Sequence, residues 1–301
     1  VRLVVALGVL LLLGSVSGCR YGAPPGLPYA EGPVHVVPDG NRSRLVDDRT
    51  YRRDGGITGV APYRGGHLVA DGRTFEGTVG LASVVDGRRT ALGPCATGVG
   101  ALSPDRRLVA WVTTGCPEAD LRAESVVHID PTGTGGGGWT RNLGPSYLFY
   151  AVGFLGDDVV LTGLAGPVVV VPESGPVRTL PRLRHAVDVH GSLVAGRHGV
   201  LDATTGLVLW SDPRAEVTSF SPDGRLVVTD GALRAARTGA LVASLPRGLT
   251  QVAWEDARHL VAVAARGRWS ALLRIGLDGR GALLAAPVRR SPAWWVLEAQ
   301  P

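Results

Sequence analysis

Thr218-Ser-Phe-Ser-Pro-Asp-Gly-Arg-Leu-Val-Val-Thr229 and Gly100-Ala-Leu-Ser-Pro-Asp-Arg-Arg-Leu-Val-Ala-Trp111 are nearly superimposable. Each is a short apolar run, a turn around Ser-Pro-Asp, and a second apolar run, which is the plan of a β-hairpin. The turn chemistry is local. Proline presets φ at the first turn position, the aspartate carboxylate can accept a backbone N–H, and glycine accepts a positive φ. Val252-Ala-Trp-Glu-Asp-Ala-Arg-His-Leu-Val-Ala-Val263 is a degenerate third copy, and weaker ones cover Thr58–Ala70, Val152–Leu161 and Val187–Ala195.

Aligned on the residue before each turn (Ala61, Ser103, Phe154, Val189, Ser221 and Trp254), the copies recur at intervals of 42, 51, 35, 32 and 33 residues. After the hairpin come a third strand, a glycine-containing turn and a fourth strand. Val126–Ile129 is followed by Asp130-Pro-Thr-Gly, Val168–Val171 by Pro172-Glu-Ser-Gly, Val200–Asp202 by Ala203-Thr-Thr-Gly and Leu272–Ile275 by Gly276-Leu-Asp-Gly. Four strands per 30- to 50-residue unit is the pattern of a β-propeller blade. The Ser-Pro-Asp-Gly hairpins resemble those of WD-repeat-like and TolB-like propellers, in which that motif joins the first two strands of a blade. The resemblance covers about residues 34–298 and implies an all-β propeller.

Six units are complete. Val34–Val46 reads as the last two strands of a blade and Pro292–Glu298 as one more strand. Seven four-stranded blades, the seventh assembled from N- and C-terminal strands, is favoured over six with loose tails, because it leaves no sheet edge unpaired.

Composition agrees with many short strands and turns: 43 glycines and 21 prolines in 301 residues, with 45% hydrophobic residues. Every one of the 31 basic residues is arginine, and methionine is absent even from position 1. This is the bias of very GC-rich DNA and points to an actinobacterial kind of source, with Val1 a GTG start. The net charge of +5 comes from scattered arginines. No clustered basic patch with aromatic platforms exists, so nucleic acid is not an expected partner.

Residues 1–18 read as an export signal: Arg2, the apolar run Leu3–Leu13, then Gly14-Ser-Val-Ser-Gly18. The apolar run is too short to span a bilayer, which takes about 20 residues. Val16-Ser-Gly-Cys19 resembles the bacterial lipobox. The resemblance implies diacylglycerol on Cys19 and cleavage in front of it, so that acyl chains, at about 0.8 kcal/mol per buried methylene, anchor the protein to the outer face of the membrane. Residues 19–33, with four prolines, read as a flexible tether to a propeller domain over 34–301.

Cys95 and Cys116 remain, an even pair in an oxidising compartment. The hairpin of Gly98–Leu102 with Leu108–Thr113, turning at 104.5, brings them near each other. A disulfide there closes a loop of about 20 residues and contributes on the order of 3 kcal/mol. No histidine lies at ligand spacing beside them, so no metal is expected.

No zinc-protease, nucleophile-elbow or phosphate-loop motif occurs, and no cofactor is implied. Gly133–Gly138 lacks the lysine and helix of a phosphate loop and reads as a turn. His185, His190 and His198 cluster in one blade as surface or core-edge residues. Trp111, Trp210, Trp254 and Trp269 read as packing between blades. The irregular insertion Gly115–Ser125 joins the second and third strands of its blade and carries Glu118, Asp120, Arg122 and Glu124. Those connections share a face with the inter-blade linkers, so this loop is the candidate partner site. The expectation is a monomeric, lipid-anchored, non-enzymatic module that binds a protein, peptide or glycan at the cell envelope. The alternative is a surface hydrolase, lactonase or lyase using the central channel.

Overall fold

The computed structural model describes residues 34–39, 42–45, 52–54, 57–71, 78–114, 124–145, 148–163, 167–266, 269–284, 288–289 and 296–297. The expected signal and tether with Cys19, and also Cys116, Glu118, Asp120, Arg122, Trp294 and Trp295, lie outside these residues. The described residues form strands, turns and bends, with no helix. The fold is an all-β propeller with four-stranded antiparallel blades.

Blade 1 is built from Val34–Asp39, Arg42–Leu45 and Arg52–Asp54, with Val296–Leu297 as its innermost strand. Blade 2 runs Ile57–Tyr63, Gly66–Asp71, Val79–Val85, Arg88–Ala96, and blade 3 Ala101–Leu102, Leu108–Thr114, Glu124–Pro131, Trp139–Pro145. These two are joined edge to edge by the single pair Ala96↔Thr113. Blade 4 is Phe149–Leu155, Asp158–Gly163, Val168–Val171, Arg178–Thr179, and blade 5 Ala186–His190, Leu193–Gly196, Gly199–Asp202, Leu207–Ser211. Blade 6 is Val217–Phe220, Leu226–Thr229, Ala232–Ala235, Leu241–Ser244. Blade 7 is Leu249–Trp254, His259–Arg266, Trp269–Gly276, Gly281–Leu283, with Val288–Arg289 added beside Trp269 and Ser270.

The seventh sheet therefore does mix the two chain ends, with a correction. The N-terminus contributes three strands rather than two, because Arg52–Asp54 pairs with Arg42–Arg44 as an outer strand. Charged, short and without an apolar run, that segment carries no strand signal in the sequence. Val36 pairs with both Leu45 and Val296, which sets the C-terminal strand innermost.

Burial explains why the strands read as they do. In blade 4 the second and third strands are covered on both faces by neighbouring blades, and Val168–Val171 is apolar at every position and buried. The fourth strand lies at the rim: Leu241 is 63% exposed and Leu207 56%. The core sits between blades, as where Ala110, Val112, Val127 and Ile129 of blade 3 meet Phe149, Phe154, Leu161 and Val171 of blade 4. Trp111 and Trp254 are buried as expected, but Trp269 is not: it begins the third strand of blade 7 and is 51% exposed. An alternating strand pattern does not distinguish the core face from the rim at a strand's first residue.

The Ser-Pro-Asp turns are built alike. The Ser103 hydroxyl donates to Asp105 Oδ1 at 2.7 Å and accepts the Leu108 N–H at 2.9 Å, while Asp105 Oδ1 also accepts the Arg107 N–H. Ser221, Asp223, Arg225 and Leu226 repeat every one of these bonds. The Ser103 hydroxyl and the Arg107 N–H hold the Asp105 carboxyl below the usual carboxylate range.

Candidate binding site

The innermost strands carry a shared irregularity. In blades 2, 4, 5, 6 and 7 the pairing of the first strand with the second slips by one residue, at Thr58, Val152, Val187, Thr218 and Thr250. Each is a β-bulge, which bends the strand and re-aims one side chain out of the ladder. Where the bulged residue is threonine, its hydroxyl donates back to a carbonyl of the second strand. Thr58 reaches Ala70, Thr218 reaches Val228 and Thr250 reaches Val263, at 3.3, 3.4 and 3.1 Å.

Val152, Val187, Thr218 and Thr250 all line one cavity of about 700 Å³ at the axis of the propeller. That volume lies within the range of small-ligand and peptide sites, about 300–1,000 Å³. Its wall mixes small residues with aliphatic side chains such as Val228, Leu245, Leu249 and Val252. Among the polar groups, the Ser219 hydroxyl is buried without a hydrogen-bond partner. The rim carries exposed Glu216, Asp230 and Arg247.

Asp188 also lines the cavity and is only 8% exposed. Its Oδ1 accepts the Val189 N–H at 2.7 Å and its Oδ2 the Phe220 N–H at 2.6 Å, tying the inner strand of blade 5 to that of blade 6. Burial pushes its carboxyl up to about 7, against the pull of those two N–H groups. Asp188 carries no signal in the sequence, where it sits unmarked between Val187 and Val189.

Asp230-Gly231 joins the second and third strands of blade 6, and Leu245–Gly248 links blades 6 and 7; both line the mouth. Residues 115–123 are the corresponding connection of blade 3. Of the expected partner residues, Glu124 alone is described. It is exposed, accepts a hydrogen bond from Asn142 Nδ2 at 3.2 Å and is not part of the cavity wall. Cys95 is buried, disulfide-bonded and adjacent to the Ala96↔Thr113 pair.

His185 and His198 are exposed and share a lateral pocket, whereas His190 is half-buried and packs against Phe220 at 6.2 Å. Glu255, Asp256 and His259 bring ligand-type atoms within 4.8 Å of one another. They lock the first turn of blade 7. Asp256 accepts the Arg258 and His259 N–H groups, and Glu255 is held by Arg274 at 2.6 and 2.9 Å.

No family model and no curated protein matches the sequence. Solved structures do. An acylaminoacyl peptidase bound to Z-Gly-Gly-Phe-chloromethyl ketone matches 81% of this chain and 47% of its own, at 12% identity and a TM-score of 0.50. TolB from Acinetobacter baumannii matches 89% and 64%, at 13% identity and a TM-score of 0.43. BamB from Moraxella catarrhalis matches 78% and 85%, at 15% identity and a TM-score of 0.42. The chain thus spans about half of the peptidase and under two thirds of TolB, and what it shares with the peptidase is the fold alone.

Proposed function

We propose that this chain is a lipid-anchored, extracytoplasmic propeller that binds a protein, peptide or glycan in its axial cavity without transforming it. The cavity carries the reading. Four bulged residues from four successive blades open onto one space, walled by aliphatic side chains interspersed with Thr218, Ser219 and Thr250 and rimmed by charges of both signs. Rigid strands with a polar mouth suit recognition. The lipobox at Cys19 supports the anchor, and Cys116, two residues past the strand facing Cys95, is the proposed disulfide partner that shapes the 115–123 loop.

A surface hydrolase, lactonase or lyase is the alternative, and Asp188 favours it: a carboxyl near neutrality in a cavity suits a general acid or base. Both Asp188 oxygens, however, accept backbone N–H groups, one from Val189 on the same strand and one from Phe220 on the inner strand of blade 6, and that supports a structural role.

The test uses the full chain in its own cells, with a photoreactive residue at Arg247 on the rim. Binding in the cavity gives a discrete crosslinked adduct that Thr250→Trp, which fills the space, abolishes. An adduct pattern identical to that from position 280, on the rim of blade 7, sinks the proposal. The anchor is checked separately: Cys19→Ala releases the protein from the membrane fraction, and unchanged fractionation and mature mass refute the lipid.

A further inference from the structure

A second concave site lies on blade 5, apart from the axial cavity. The linker from blade 4 to blade 5 and the turn between the second and third strands of blade 5 enclose about 310 Å³, with Arg182, Arg184, His185, Arg197 and His198 in the wall and Trp210 beside them. No carboxylate is among the lining residues. All five cationic or titratable side chains are exposed.

The charges do not cancel locally. Arg197 pairs with Glu216 at 3.0 Å. Arg182 donates one N–H to the Gly206 carbonyl at 3.1 Å, which neutralises nothing. Arg184 has no partner among the described residues. Asp212, next to lining residue Ser211, is taken by Arg234 at 3.2 Å. Three guanidinium groups against one carboxylate leave an excess of two positive charges before either histidine is protonated. Trp210 donates its indole N–H to Ala236 at 2.7 Å and packs against Gly239, which fixes the ring as a wall.

We infer that this pocket binds a phosphate monoester. Two surplus positive charges match the ~1.5–2 negative charges such a group carries near neutrality. Guanidinium forks hold phosphate oxygens by paired N–H bonds, and a single carboxylate offers one charge against the two guanidinium groups, Arg182 and Arg184, that no carboxylate pairs. The indole and Val208 provide an apolar surface for the body that bears the phosphate. The inference does not depend on the axial cavity, and each can fail without the other.

Titration calorimetry of the full chain with sn-glycerol 3-phosphate at low salt tests it. Binding at one site is expected, weakened about tenfold or more by Arg184→Gln and unaffected by Arg280→Gln on blade 7. Arg184 has no structural partner to lose, so its replacement leaves the fold intact. Vesicles containing phosphatidic acid identify the source. Binding to both probes supports a lipid headgroup, and binding to the soluble ester alone supports a soluble one. No binding to either probe, equal binding of succinate, or binding indifferent to Arg184→Gln overturns the assignment.

Discussion

Arg106 and Gly224 occupy the same position in their Ser-Pro-Asp turns, with φ of 58° and 66°. Left-handed backbone costs a non-glycine residue about 1–2 kcal/mol, so Arg106 holds its place under strain that Gly224 avoids. Arg106→Gly is therefore expected to raise stability by up to about 1 kcal/mol, part of the gain being lost to a freer unfolded chain. Gly224→Ala incurs a second cost, because its Cβ would lie 2.0 Å from His190 Cδ2. We expect a loss of about 2 kcal/mol or more by urea denaturation, shrinking to the backbone cost alone once His190→Ala removes the ring. If the two effects simply add, His190 is not the obstacle. The turn itself was legible because proline, aspartate and glycine signal it within six residues. The histidine above it, thirty-four positions earlier in the chain, was not.

Between elements, two buried aspartates do the fastening. Asp130, at the end of the third strand of blade 3, accepts Arg64 Nη2 at 2.7 Å and the Trp111 indole N–H at 3.0 Å. The first hairpin of blade 2 adds Arg64 N–H to Pro131 and Gly65 N–H to Thr132. Trp111 is further sandwiched on His128, 4.0 Å away. Asp130→Ala strands two donors and should cost about 2–4 kcal/mol, read as an earlier denaturation midpoint; a change below about 0.5 kcal/mol would show that water replaces the carboxylate. Asp188 yields a pH signature instead. Its carboxyl is raised from an ordinary 3.8 to about 7. Below pH 4 both folded and unfolded states keep the proton. From there to pH 7 the unfolded chain releases it and the fold does not, so stability falls as pH rises, by on the order of 4 kcal/mol in all. Melting curves at pH 5 and pH 8 should differ more for the native chain than for Asp188→Asn, and equal differences would refute the assignment. Neither aspartate was legible as a fastener. Asp130 reads as a turn residue, and apart from Val189 the groups that bond these two lie between 19 and 66 residues away.

At the scale of the whole molecule, the blade repeat was legible because apolar strands and punctuating turns recur together, while the inner bulges were not, since threonine or valine there looks like any strand residue. The same scale shows how the chain ends are used. Val296–Leu297 covers the inner edge of Val34–Asp39. Removing residues 290–301 should leave that strand with an open edge, which invites association. We expect a lower melting temperature and a shift to larger species by size-exclusion chromatography; a truncated chain that elutes and melts unchanged would show that the strand contributes nothing.

That composite sheet also sets a timetable. Val36 is made 260 residues before its partner Val296, an interval on the order of tens of seconds at about 5–20 residues per second. The first blade to leave the ribosome is thus the last to be finished. Refolding from denaturant, where both ends are present from the start, follows a different order of assembly from birth.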